Sequence, residues 1–119
     1  MHREFLVCSS EPAPSLVETL AAVVYYHHGE GLDVGHTFPI GQPWMAGASL
    51  DYFLVSRPYP FSPDLENCWI AGHHIRLLWL LPVYETECSF RHREGLEASK
   101  SRFDAAGFDI LALDRPPVV

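Results

Sequence analysis

Ile75-Arg76-Leu77-Leu78-Trp79-Leu80-Leu81-Pro82-Val83 is the stretch on which the fold turns. It is apolar at almost every position, so it lacks the alternation of a strand with one wet face. It predicts a strand over Ile75 to Leu81, buried on both faces, central in its sheet and closed by Pro82. The run is far too short to cross a bilayer, which takes about 20 apolar residues in a helix, and no membrane partner is expected.

Downstream of this strand, Glu85 to Arg93 followed by Gly95 reads as a helix with its cap, and Leu96 to Ala106 as a second helix ended by Gly107. The apolar stripe of the second helix is thin, because Ser99 stands between Leu96 and Phe103 where an aliphatic residue would pack better. The tail Asp109 to Val119, with Pro116 and Pro117, is expected to run along the surface before its last apolar residues dock.

Upstream, Glu66 to Ala71 predicts a short strand and Gly72-His73 the turn after it. Pro58, Pro60 and Pro63 forbid regular structure and imply a stiff loop. Leu50 to Ser56 (LDYFLVS) reads as a strand buried on much of both faces. Gln42 to Ser49 is a loop, and His36 to Ile40 an extended segment that Pro39 confines to a sheet edge. Leu16 to His28 has helical spacing, with Ser15 and Glu18 in capping-box positions and Gly29 placed to stop it. Arg3 to Ser9 opens the chain as a first strand.

These elements fit one domain over residues 1–119, of 48% apolar composition. A chain of this size buries about two thirds of its unfolded surface, so stability demands no disulfide, metal or cofactor, and none is expected. Its net charge of −7, with only eight Lys and Arg, argues against a nucleic-acid surface, because phosphate affinity rests on those cations. Arg91, Arg93, Lys100 and Arg102 are interleaved with Glu94 and Glu97 as on a solvated helix face. Cys8, Cys68 and Cys88 are odd in number, have no CxxC spacing and follow no signal peptide, which points to a reducing, cytoplasmic setting.

No coherent catalytic constellation stands out. The chain has seven histidines, but adjacent pairs such as His27-His28 and His73-His74 point in divergent directions on a helix or a strand and do not chelate one ion easily. Gly47-Ala48-Ser49-Leu50-Asp51 fails as a nucleophile elbow, since it lacks the second glycine and enters a strand. Cys68 and Cys88 fit buried inert thiols better than nucleophiles. Gly29, Gly31 and Gly35 follow a helix and lack the strand-to-helix setting of a dinucleotide fingerprint. Glu85 and Glu87 fit the favourable electrostatics of a helix N-terminus.

The aromatic, proline-rich middle is what a plain core explains least: Trp44, Tyr52, Phe53, Tyr59, Phe61 and Trp69. Loop aromatics are common binding anchors. The cluster divides between core, with Phe53 and Trp69 as candidates, and partner contacts. Trp44, Tyr59 and Phe61, together with Asp51, form the candidate binding set.

Ordered similarity to the suppressor-of-fused family runs through most of the chain from Glu4 onward. It is carried by Gly35-His36-Thr37, Gly41-Gln42-Pro43-Trp44, Leu50-Asp51-Tyr52-Phe53-Leu54, Pro58 to Pro63, Leu77 to Val83, Glu85 with Glu87, Gly95-Leu96 and Asp114-Arg115-Pro116. The chain resembles the shorter bacterial members. The resemblance implies an α+β fold, a mixed and largely antiparallel sheet flanked by helices, and binding of a protein partner by strand addition. Some bacterial members have been proposed as immunity proteins against toxins. The resemblance also implies that strands and a helix usually preceding Arg3 are absent, leaving a sheet edge open to homodimerisation.

The expected function is therefore sequestration of a protein partner, with a toxin as one candidate and an acidic surface suited to a basic target. The rival class is a metal-dependent hydrolase using some of His27, His28, His36, His73 and His74.

Overall fold

The computed structural model describes residues 2–9, 13–58, 61, 63–107 and 114–119. Its elements are β1 (His2–Leu6), α1 (Ser15–Glu30), β2 (Thr37–Pro39), β3 (Tyr52–Ser56), α2 (Pro63–Glu66), β4 (Asn67–Ile70), β5 (His73–Val83), α3 (Glu85–Glu94) and α4 (Leu96–Ala106).

β5 is the central strand, as its predominantly apolar run predicts. β1 lies parallel along one edge, pairing His2 to Leu6 with Ile75 to Trp79. The other edge is shared end to end by two antiparallel partners, β4 over His73 to Arg76 and β3 over Trp79 to Val83. β2 pairs antiparallel with β3 and ends the path β1-β5-β3-β2, so the sheet is mixed and largely antiparallel.

Alternation along β3 and β5 sends neighbouring side chains to opposite faces and builds two cores. Phe53, Val55, Leu78 and Leu80 face α1 and join Leu16, Val23, Phe38, Trp44 and Leu50. Leu54, Trp79, Leu81 and Val83 face α3 and α4 and join Cys88 and Phe103. A strand between two helical layers has no wet face, which is why β5 is apolar and mostly buried from Leu77 to Val83.

Several boundaries differ from the sequence reading. α1 runs past Gly29 and is stopped by Gly31, which takes a left-handed conformation (φ 68°) and donates its N–H to the His27 carbonyl. Ser15 is the first helical residue and not the cap. The Leu16 and Val17 N–H groups are satisfied by the Ala13 and Pro14 carbonyls instead. The capping-box interaction appears at α3, where the Glu87 side chain accepts the Tyr84 N–H at 2.8 Å.

Prolines account for two further corrections. Pro82 lies inside β5, opposite Phe53. Its carbonyl is taken by Arg115, away from β3, and a strand residue directs its N–H and C=O to the same side. The missing N–H therefore falls beyond the end of β1 and breaks no ladder bond. Pro63 opens the single turn α2, where a missing donor is tolerated. The β4–β5 turn is Ala71-Gly72, one residue earlier than expected, and both residues have positive φ.

Candidate functional site

Of the four residues proposed as partner contacts, the three that the structure describes, Trp44, Asp51 and Phe61, do not form one surface. Trp44 is 3% exposed and packs in the α1-side core, because its loop folds back and its N–H bonds the Leu50 carbonyl. That burial removes it as an accessible anchor. Phe61 is 36% exposed and meets the Trp79 ring edge-on at 6.5 Å, on the opposite side of the sheet from Trp44. Asp51 is exposed ahead of β3, where its carbonyl accepts the Ile40 N–H. Tyr59 lies outside the described residues. Trp69, a core candidate by sequence, is 69% exposed and stacks on His74 with centroids 4.6 Å apart.

A larger group of exposed apolar side chains lies on α1. Val17, Val24, Tyr25 and Tyr26 are all exposed, Tyr25 to 85%. Leu16, Leu20 and Val23 on the other side of the same helix pack toward the sheet. The signal was legible: L-V-E-T-L-A-A-V-V-Y-Y is apolar nearly all round, a pattern that suits a helix covered on more than one side.

Beside this helix runs a groove of about 410 Å3, between α1 and the β2–β3 edge. Val23, Tyr26, Phe38 and Phe53 form its apolar lining, and Glu18 and Gln42 contribute polar groups. Tyr26 stacks on Phe38 at 5.6 Å, and Phe38 tilts against Phe53 at 5.8 Å, so the aromatic floor is held from both sides. β2, which borders the groove, pairs only with β3 among the described residues.

The histidines are dispersed. His27 sits edge-on to Phe5, the His36 ring nitrogen accepts the Asp33 N–H, His74 bonds Asn67, and His28 and His73 are exposed. Among the described residues no three His, Cys, Asp or Glu side chains converge as a metal site would require. Burial pushes the Cys88 thiol up to about 11, with neighbouring carboxylates adding to the effect against a hydrogen bond from Thr37, so it stays protonated near neutrality.

Two ionic clusters position the rest. Asp33 joins Arg3 of β1 at 3.3 Å and Arg76 of β5 at 3.5 Å, and Arg76 also reaches Glu66 at 3.2 Å. Burial alone would raise the Asp33 carboxyl, but the Val34 N–H and the charges of Arg3, Arg76 and His36 together hold it below its ordinary value. The second cluster was missed by sequence reasoning, which assigned Glu87 only to helix-end electrostatics. Glu87 is 3% exposed and receives both terminal nitrogens of Arg115, at 2.7 and 2.8 Å, plus the Val118 N–H. Arg115 lies between the Tyr84 and Phe103 rings, and Tyr84 donates its hydroxyl to the Arg115 carbonyl. Residues 114–119 are thus clasped into the α3–α4 face and not merely laid over it, while the rest of the expected tail, 109–113, lies outside the described residues.

The family model for Suppressor of fused protein (SUFU) matches residues 5–116. The chain belongs to the suppressor-of-fused family. A SUFU homolog from Neisseria gonorrhoeae shares 34% identity and superposes with a TM-score of 0.84, over 98% of this chain and 63% of that one. The chain therefore spans less than two thirds of that relative. Two further structures share the fold at low identity. The Sufu–Fu complex matches at 16% identity and TM-score 0.70, covering 92% of this chain and 47% of the other. Drosophila Suppressor of Fused matches at 18% and 0.70, covering 91% and 26%. No curated protein sequence matches the chain. Within the family frame, the clasp joins two segments that carried the resemblance, Glu85 with Glu87 and Asp114-Arg115-Pro116. No helix among the described residues is long and apolar enough to cross a membrane.

Proposed function

We propose that this suppressor-of-fused domain is a non-enzymatic module that captures an extended segment of a partner protein along the free edge of β2. One apolar side chain of that segment sits in the adjoining groove. The observation that carries the reading is the juxtaposition of a strand edge unpaired among the described residues with an aromatic-floored groove and an exposed apolar helix. Strand addition draws affinity from backbone bonds and specificity from pockets beside the edge. β2 is only three residues long and includes Pro39, which suits an edge that admits one chosen segment and resists sheet-to-sheet aggregation.

The charge of −7 and the Glu18 carboxylate at the groove favour a basic partner. A toxin held inactive in the cytoplasm by this domain fits that chemistry. That the Sufu of one related structure is in complex with Fu supports a protein as the ligand class. The outer edge of β1, which pairs only with β5 among the described residues, is a second place where a strand from another copy fits.

The test is affinity capture from native lysate with three forms: the unaltered chain, Tyr26→Lys in the groove wall, and Trp69→Ala at the β4–β5 hairpin. One stoichiometric basic protein is expected with the first and third and not with the second. Capture that survives Tyr26→Lys, or no capture by any folded form, overturns the reading. A toxin gene beside this one is the expected genomic setting of the immunity role, and a metabolic operon counts against it.

A further inference from the structure

The groove beside α1 has a direction. The chain reverses between Gly31 and Thr37, so α1 runs back along β2. Tyr26 stacks on Phe38, and Glu18, about two turns earlier in the helix, falls toward Ile40 and Gln42. The volume of about 410 Å3 lies within the range of about 300–1,000 Å3 that takes whole small ligands, so a single apolar side chain does not fill it. Among the described residues no Lys, Arg or His lines the groove, and no ion pair takes up the exposed Glu18 carboxylate.

The charges flanking β2 share that direction. At its start the Arg91 guanidinium lies beside Gly35, and His92 shares a hydrogen bond of 3.0 Å with the Thr37 hydroxyl. At its end Tyr52 pairs with Pro39, and burial, followed by the charges of Glu85 and Asp51, pushes its phenol up. The strand thus leads from a guanidinium toward carboxylates.

Backbone geometry fixes which groups face a partner. Ile40 gives its N–H to the Asp51 carbonyl, and the His36 carbonyl receives the Val55 N–H, so the even-numbered residues turn their polar groups to β3. Thr37 therefore offers both its N–H and its carbonyl to the open side. Pro39 offers its carbonyl alone, and an edge is where a proline is tolerated. A residue with both groups free matches the two-bond pair of an antiparallel partner. In that pairing the side chains opposite Phe38 and Ile40, both of which line the groove, lie on the groove face two residues apart.

We propose, resting on strand capture at β2, that the captured segment reads basic–x–apolar from its N-terminal to its C-terminal side. The apolar residue opposite Phe38 enters the aromatic end of the groove. An arginine or lysine two residues before it lies opposite Ile40 and places its charge on Glu18, which makes Glu18 the specificity-determining residue.

The experiment is selection from a displayed library of random octapeptides on the immobilised full chain, with recovered peptides then measured by fluorescence anisotropy against the unaltered chain, Tyr26→Lys and Glu18→Gln. Both variants change side chains that are exposed, and circular dichroism confirms their folding first. Enriched peptides are expected to carry Arg or Lys two residues before an aliphatic residue, to lose binding to Tyr26→Lys, and to bind Glu18→Gln about fivefold more weakly. Replacing their basic residue with Gln should cost the same factor on the unaltered chain and little more on Glu18→Gln. Peptides that depend on Tyr26 but lack a basic residue at that position, carry it after the apolar one, or bind Glu18→Gln equally well overturn this proposal and leave strand capture standing. Peptides indifferent to Tyr26→Lys, or no enrichment, overturn both.

Discussion

Glu87 and Arg115 show how one pair of side chains can hold a chain end in place. The carboxylate is satisfied by two guanidinium nitrogens and two backbone N–H groups, all in a nearly water-free setting. Removing one partner leaves a buried charge uncompensated. Arg115→Met should therefore cost roughly 3–5 kcal/mol in urea unfolding, and the double variant Glu87→Gln/Arg115→Met should cost clearly less than the two single changes added together. Additive losses would mean that the two groups act separately. Gly35 is a quieter constraint. Its φ is +92°, and a Cβ there would lie 2.6 Å from the Arg91 guanidinium. The flexible arginine can move aside, so backbone strain sets most of the cost, and Gly35→Ala should lose about 1–2 kcal/mol by the same measurement. Cys88 supplies a pH dependence. Its folded value of about 11 lies above the ordinary thiol value of 9.0, so folding favours the protonated form. Its contribution is complete below about pH 9 and is lost as pH rises toward 11. The native Cys88 thiol should resist alkylation at pH 8 and react on unfolding, and rapid native labelling there would contradict its burial.

Among the elements, β5 was readable because burial on both faces leaves a composition that little else produces. α4 was readable to the residue, since Gly95 and Gly107 bracket it and both take positive φ. α1 shows the limit of such punctuation: Gly29 looked like its stop, but a glycine can continue a helix at modest cost, and only the residue that adopts the left-handed turn ends it. The β4–β5 hairpin carries an element-scale prediction. Both turn residues, Ala71 (φ 51°) and Gly72 (φ 79°), occupy the left-handed region that two-residue hairpins require, and alanine is poorly suited to it. Ala71→Asn should stabilise the protein by about 0.5–1 kcal/mol, read as a higher thermal midpoint. An unchanged or lower midpoint would place the turn elsewhere.

At the scale of the whole molecule, the central strand followed from hydrophobic pattern and the fold class from the family resemblance, while the binding surface followed from neither. Pattern reports which residues are apolar, not which of them other segments cover. Trp44 and Trp69 exchanged their expected places because the Trp44 loop folds back over the α1 core, while the β4–β5 hairpin carries Trp69 out beyond it. The same distinction separates α1 from an ordinary amphipathic helix: its inner side is accounted for by the sheet, and its outer side is apolar without a covering element among the described residues. The two cores, the clasped residues 114–119 and the ionic link from β1 through Asp33 to β5 make a frame on which the groove between α1 and β2 is an accessible concave surface next to a strand edge unpaired among the described residues. The most direct test of partner capture at that edge is photocrosslinking, with a benzophenone side chain placed at Tyr26 in one form and at Trp69 in another. Irradiation in native lysate should yield one covalent adduct of defined mass from position 26 and none from position 69. An adduct from position 69 alone would put the partner on the hairpin and contradict the account.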